Sequence, residues 1–331
     1  MAADLEGMRG LLAKSQRHVV LAQSILNRYP NVWLSGWAEN TLLALSLVQC
    51  DVPAAVEHGN AALALGLESG AAAVIRHSYA NLGRLRYTTG DFPLALNYLR
   101  QAFEMTQENG EAAYAIMDSM ARVSMAQGQL SEAEKLTAWV AGGGRDPIWT
   151  GGYIYRHSLL TRAEILGRLA GREAEARECL SKVLEYAQRC GDTLLQDSAL
   201  LLAEETRQVD TREGHPLSVS PRPTRHPTPD SAIAYERALM CRLLTSGEDQ
   251  AASRHFERAI RLARAVSNRP AEGDVERSWG ERRGEARPEL PAFRAQSAAL
   301  QDFASLLMHA GRPELLATGL IAIIQTTDCI T

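Results

Sequence analysis

The sequence predicts an all-α solenoid, a stack of helical hairpins, and three observations carry that prediction. A spacing pattern recurs about every 40 residues, which is typical of repeat proteins. Its clearest copy is Gly90, Ala95, Leu99 and Ala102. Apolar residues between the copies lie three and four positions apart, as they do in amphipathic helices. Finally, 46% of the chain is hydrophobic but only 6% is aromatic, which predicts a core of Ala and Leu between closely packed helices.

The other copies of this pattern divide the chain into hairpins. Each glycine is expected to end a first helix by adopting a positive φ, and a second helix is expected to follow. Residues 91–107 fit this order, because Pro93 suits the first turn of a helix. The remaining copies are Gly128, Ala133, Thr137 and Val140; Gly171, Ala176, Leu180 and Val183; Gly247, Ala252, Phe256 and Ala259; and a glycine-less copy, Cys50, Ala55, Gly59 and Ala62.

The copy around Gly90 carries further motifs, namely NLG at 81–83, GDF at 90–92 and the small pair Ala95 and Ala102. In these residues the chain resembles the tetratricopeptide repeat family, in the divergent form of the sensor segments of bacterial multidomain transcriptional regulators. The other copies lack the Leu-Gly pair, and their spacing exceeds the family's unit of about 34 residues. The resemblance implies a right-handed superhelix of helix-turn-helix repeats, whose first helices line a concave groove that binds other proteins.

The domain organisation follows from where the pattern is interrupted. Residues 1–208 are predicted to form an N-terminal helical array, which begins with a capping helix over residues 3–27. Residues 209–231 are predicted to be a disordered insertion, because prolines 216, 221, 223, 227 and 229 exclude a continuous helix. A further hairpin is expected over 232–267. Residues 268–291 are expected to form a charged loop, or alternatively a frayed helix. Residues 292–331 are expected to form a C-terminal hairpin, either a last repeat or the start of a following domain.

Motifs that carry chemistry do not stand out in this sequence. The glycine-rich stretch 141–152 lacks the lysine of a phosphate-binding loop, and the five scattered cysteines have no metal-type spacing. His157 is interpreted as a solvated or capping residue. We therefore expect no catalytic residue, no metal and no cofactor. The net charge of −4 and the lack of a long apolar run predict a cytoplasmic protein without direct nucleic-acid or membrane contact.

The resemblance implies a partner-binding surface on the first helices. Arginine recurs there in three successive copies, and a guanidinium fork suits carboxylates or phosphates. An acidic peptide or an anionic metabolite is the expected ligand, while the alternative is that these arginines serve only solubility. Aligning the copies places the following residues in the groove: Trp37, Asn40, His77, Arg84, Tyr87, Asp118, Arg122, Thr161 and Arg168.

The predicted function is a non-catalytic protein-interaction or peptide-interaction module. The resemblance favours the N-terminal regulatory region of a bacterial transcriptional regulator, whose partner is another protein or its own downstream domains. The alternative is a stand-alone scaffold or assembly factor that joins other proteins. The oligomeric state and the identity of the partner stay open at this point.

Overall fold

A computed structural model describes residues 12–106, 111–143, 153–207 and 229–284. Within these ranges the chain forms thirteen α-helices and no strand, which confirms the all-α prediction. The helices are α1 (Leu12–Arg28), α2 (Val32–Gln49), α3 (Val52–Ser69), α4 (Ala72–Thr88), α5 (Phe92–Glu104), α6 (Glu111–Ala126), α7 (Leu130–Gly143), α8 (Tyr153–Gly167), α9 (Glu173–Cys190), α10 (Thr193–Arg207), α11 (Pro229–Thr245), α12 (Asp249–Ala265) and α13 (Arg269–Arg283).

The helices stack as a solenoid. Each helix packs against the next along the chain, and the pairs α2/α3, α4/α5, α6/α7 and α8/α9 are hairpins. The first helices of neighbouring hairpins also contact one another, from α2 through α4, α6 and α8 to α10, more extensively than the second helices do. The array therefore bends toward its first helices. We call α2, α4, α6, α8 and α10 the inner layer.

Glycines in the left-handed conformation make the turns within several hairpins. Gly90, Gly128, Gly171 and Gly247 all have φ between 75° and 82°, as predicted for residues that end a first helix. At the first of these turns, the Asp91 carboxylate accepts a hydrogen bond from the backbone N–H of Leu94 at 3.2 Å and caps α5. One residue ends a helix and its neighbour begins the next, so the hairpin is tight.

The small residues of the pattern lie in the core, as the sequence predicts. Ala95, Leu99 and Ala102 are completely buried on the inward side of α5. Gly83 in α4 faces them so closely that a Cβ atom built on it would lie 2.7 Å from Leu99 Cγ. The absence of a side chain at Gly83 therefore sets the distance between α4 and α5.

The structure differs from the predicted charged loop over residues 269–283, which form α13; a helix was the alternative for this segment. The Asn268 side chain caps this helix by accepting a hydrogen bond from the Ala271 N–H at 3.1 Å. Within the helix, Glu272 pairs with Arg269 and Asp274 pairs with Arg277, in each case three residues apart. The segment is poor in apolar residues, but its charges are arranged for a helix.

The packing described above lies within one compact unit that ends at Arg283. In the described ranges, none of the helices combines the length and the apolar character needed to cross a membrane. The predicted disordered insertion falls outside the described residues except for 229–231, which begin α11. The predicted hairpin over 292–331 also falls outside the described residues.

Candidate partner-binding groove

Polar side chains from three inner-layer helices form one electrostatically coupled group. On each helix they are three, four or seven residues apart, which places them on the same side. The pKa values of four of them, Tyr87, Arg122, His157 and Arg168, are shifted by burial and by charges on neighbouring helices. We call the group the inner face; its members are Arg84 and Tyr87 on α4, Asp118 and Arg122 on α6, and His157, Glu164 and Arg168 on α8.

At the centre of the inner face is the pair formed by Asp118 and Arg122. The Nε–H of Arg122 donates a hydrogen bond to Asp118 Oδ2 at 3.0 Å. The other carboxylate oxygen, Oδ1, is buried and has no hydrogen-bond partner among the described residues. Burial lowers the pKa of the Arg122 guanidinium, but Asp118, Tyr87 and Glu164 together raise it by more, so Arg122 stays charged.

Arg168 connects the inner face with the C-terminal helices. One of its terminal nitrogens donates a hydrogen bond to Glu164 on α8 and a second, 3.0 Å long, to Asp274 on α13. Burial lowers the pKa of Arg168, while the carboxylates of Asp274 and Glu164 raise it and prevail. The Arg168 side chain is only 15% exposed, because α13 covers it.

Tyr87 and His157 are uncharged members of the inner face. Burial raises the pKa of the Tyr87 hydroxyl, and the nearby carboxylate of Asp274 raises it further. Burial also lowers the pKa of His157 to about 3, with the positive charge of Arg122 as the next cause. At neutral pH the tyrosine is therefore protonated and the histidine is neutral.

The inner face carries a net positive charge. Its guanidinium groups belong to Arg84, Arg122 and Arg168, whereas its carboxylates belong to Asp118 and Glu164. Arg84 is exposed and Arg122 is partly exposed, so solvent reaches this end of the inner face. Such a surface can bind a carboxylate by charge-assisted hydrogen bonds.

The structure places the other predicted groove residues between helices. Asn40 is 3% exposed and donates hydrogen bonds from Nδ2 to the Ser78 hydroxyl at 3.0 Å and to the Val74 carbonyl at 3.3 Å. Thr161 is fully buried and donates to the backbone carbonyl of His157. The alignment of copies predicts which helix a residue belongs to. It does not predict whether the side chain faces the groove or a neighbouring helix.

Trp37 and His77 form a ring pair at the end of the inner layer. Their ring centroids are 4.7 Å apart and the ring planes are inclined at 60°. Trp37 lies on α2 and His77 on α4, so the pair joins the first two hairpins. It belongs to the same layer as the inner face.

Sequence reasoning missed the residues that the C-terminal helices bring to the inner face. Asp274 on α13 lies 3.0 Å from Arg168, 3.3 Å from Arg237 of α11 and 2.6 Å from Arg277 of its own helix. The prediction of a loop over 268–291 removed Asp274 from consideration. The usable signal was the spacing of acids and arginines at three residues, which favours a helix.

The comparison with protein families identifies the central hairpin. A family model described as tetratricopeptide repeat matches residues 76–109, which include α5 and most of α4. Over these residues the chain is similar to a tetratricopeptide repeat. Comparison with curated proteins and with solved structures found no match to this chain.

Tetratricopeptide repeats mediate protein–protein interactions, and an all-helical array of them is typical of non-catalytic proteins. Across the described residues, no three His, Cys, Asp or Glu side chains are grouped so that they could hold a metal ion. The matched repeat thus suggests a protein-interaction module. The charged inner face is a candidate for the surface that binds a partner.

Proposed function

We propose that this tetratricopeptide repeat protein binds an acidic peptide segment of a partner protein against its inner face. The observation that carries the proposal is the net positive charge of that face, with Arg84 exposed and Arg122 held in the charged state by Asp118. A guanidinium group binds a carboxylate through two parallel hydrogen bonds, which gives direction as well as attraction.

The arginines of the inner face favour a peptide over a simple anionic metabolite. Asp118 Oδ2 accepts the Nε–H of Arg122, which fixes the plane of that guanidinium and leaves its terminal nitrogens as the contact for a carboxylate. A peptide with several acidic side chains can present one carboxylate to each arginine, which a metabolite with a single carboxylate cannot.

The first test is binding of a fluorescein-labelled, acetylated hexaglutamate peptide, measured by fluorescence anisotropy. Replacing Arg84 with Gln removes one charge-assisted contact and is expected to weaken binding about tenfold. The matched control is Arg100→Gln, because Arg100 is exposed on the second helix α5. Equal affinities of wild type, Arg84→Gln and Arg100→Gln would show that acidic peptides do not bind at the inner face.

Arg122 is a less suitable residue for this test. It neutralises Asp118, which is only 8% exposed, so Arg122→Ala would leave an uncompensated buried carboxylate. We expect Arg122→Ala to lower the stability of the repeat array as well as its affinity for the peptide. Arg84 is the better choice because it is exposed on α4.

We further propose that the module is the N-terminal regulatory region of a bacterial transcriptional regulator. The support is the spacing of the repeats, which is longer than the family's unit of about 34 residues, as in the divergent repeats of such regulators. The native reading frame tests this proposal. A sensor, ATPase or DNA-binding domain after Thr331 would support it, whereas a stop codon at that point would favour the stand-alone scaffold.

A further inference from the structure

The C-terminal helices lie against the inner layer of the N-terminal repeats. Helix α11 contacts α2, and α13 contacts α4. A Cβ atom built on Gly90, at the end of α4, would lie 3.0 Å from the Cβ of Arg269, so the first turn of α13 touches this turn closely. The C-terminal helices α11 and α13 thus pack against the inner layer of the N-terminal repeats.

An aspartate is the residue of α13 that reaches the inner face. The Asp274 carboxylate accepts hydrogen bonds from Arg168 at 3.0 Å and Arg277 at 2.6 Å, and Arg237 lies 3.3 Å away. Burial raises the pKa of Asp274, but these three guanidinium groups outweigh burial and hold the pKa well below its usual range. Asp274 is therefore ionised, and it binds one inner-face arginine in the way that a partner's carboxylate would.

The apolar contacts of α13 are made with α11 and α12. Val275 is fully buried in a core cluster with residues of α11 and α12, and Trp279 packs on Phe256 of α12 with ring centroids 4.7 Å apart. Toward α8, by contrast, the contact of α13 is the ion pair between Asp274 and Arg168. Ion pairs are weakened by salt and by competing charges, whereas apolar contacts are not.

We infer that α13 is an internal competitor for the inner face, and that a partner binds by placing its own Asp or Glu side chain where Asp274 lies. The inference rests on the proposed function, since it concerns the same site. It adds that the partner's acidic residue is presented by a helix or strand able to replace α13. It also adds that the affinity of the site is set by the strength of the Asp274 contact.

The test is the effect of Asp274→Asn on binding of the labelled hexaglutamate peptide. Asparagine keeps the shape of the side chain but removes the charge that holds α13, so we expect the peptide to bind about tenfold more tightly. Asp249→Asn is the matched control, because Asp249 is exposed in the first turn of α12 and makes the same change in net charge. Circular dichroism melting establishes that both variants are folded.

A second measurement uses the wild-type chain and does not depend on a variant. Saturating hexaglutamate is expected to accelerate amide hydrogen exchange over residues 269–283, since the peptide displaces α13. Unchanged exchange in that segment would overturn the inference.

The outcomes separate the inference from the proposed function. If the peptide binds, and Arg84→Gln weakens it while Asp274→Asn leaves its affinity unchanged, the inner face is a binding site but α13 does not compete for it. If neither wild type nor Asp274→Asn binds the peptide, the proposed function itself is wrong and the inference is wrong with it.

Discussion

At the scale of single residues, the surroundings in the inner face change the ionisation of His157. His157 stands near the start of α8, where the sequence suggests a solvated or capping residue. The structure instead places it beside Asp118 and Arg122, and burial together with positive charge lowers its pKa to about 3. His157 is therefore neutral in the folded protein under conditions where it is charged in the unfolded chain.

This pKa predicts a pH dependence of stability. Between about pH 6.5 and pH 3 the unfolded chain binds a proton at His157 that the folded chain does not bind, so stability falls as the pH falls. From pH 7.5 to pH 5 this residue should account for a loss of about 1–2 kcal/mol in the free energy of unfolding. His157→Gln should show a correspondingly smaller loss in urea unfolding at the two pH values.

The control for the histidine is His18→Gln, since His18 is exposed on α1. It should keep the pH dependence of the wild type. Parallel pH profiles for wild type and His157→Gln would contradict the placement of a neutral histidine in the inner face.

At the scale of elements, the repeat depends on how closely two helices approach. In the α4/α5 hairpin, a Cβ on Gly83 would lie 2.7 Å from Leu99 Cγ and 3.2 Å from the backbone oxygen of Ala95. Backbone cannot move as a side chain does, so there is no space for even one methyl group. The same requirement explains why Ala95 and Ala102 are small.

Gly83→Ala is therefore expected to destabilise the array by about 1–3 kcal/mol through overpacking. The matched control is Gly273→Ala in α13, where a Cβ would meet no atom of the described residues within 4 Å. There the alanine should be neutral or stabilising by up to about 1 kcal/mol, because glycine is a poor helix former. Urea unfolding measures both, and a loss of similar size at the two positions would contradict the close approach.

At the scale of the whole molecule, α13 contacts residues that lie much earlier in the chain. Arg168 and Asp274 are 106 residues apart in sequence, yet they share a hydrogen bond. The contact between Gly90 and Arg269 is a second link between the same two parts of the chain. Both links lie between an inner-layer helix, or its end, and α13.

A pair of glycine variants tests this closure. Gly90 and Gly171 both have positive φ, so alanine at either costs about 1–2 kcal/mol in backbone strain. At Gly90 the added Cβ also meets Arg269 at 3.0 Å, whereas at Gly171 it meets no described atom within 4 Å. Gly90→Ala should thus be more destabilising, by about 1 kcal/mol, in thermal or urea unfolding. Equal losses would indicate that α13 does not touch the turn at Gly90.

Local periodicity was sufficient to predict the hairpins of the array. Glycine at a positive φ, a capping aspartate and small residues at fixed spacing all act within about 30 residues of chain. The first copy shows that the spacing matters more than the glycine, because Cys50 adopts the left-handed conformation at φ 55° without one. The resemblance to the tetratricopeptide repeat family predicted which helices form the inner layer.

The sequence by itself thus determined the class of fold, the phase of its repeats and the helices that carry Arg84, Arg122 and Arg168. Only the tertiary structure decided that Asn40 and Thr161 lie between helices, that His157 is neutral, and that Asp274 meets Arg168. The physical reason is the separation in sequence between the residues that interact. Caps, turns and helix faces depend on neighbours a few residues away, whereas the charge and access of the inner face depend on a helix that returns from the far end of the described chain.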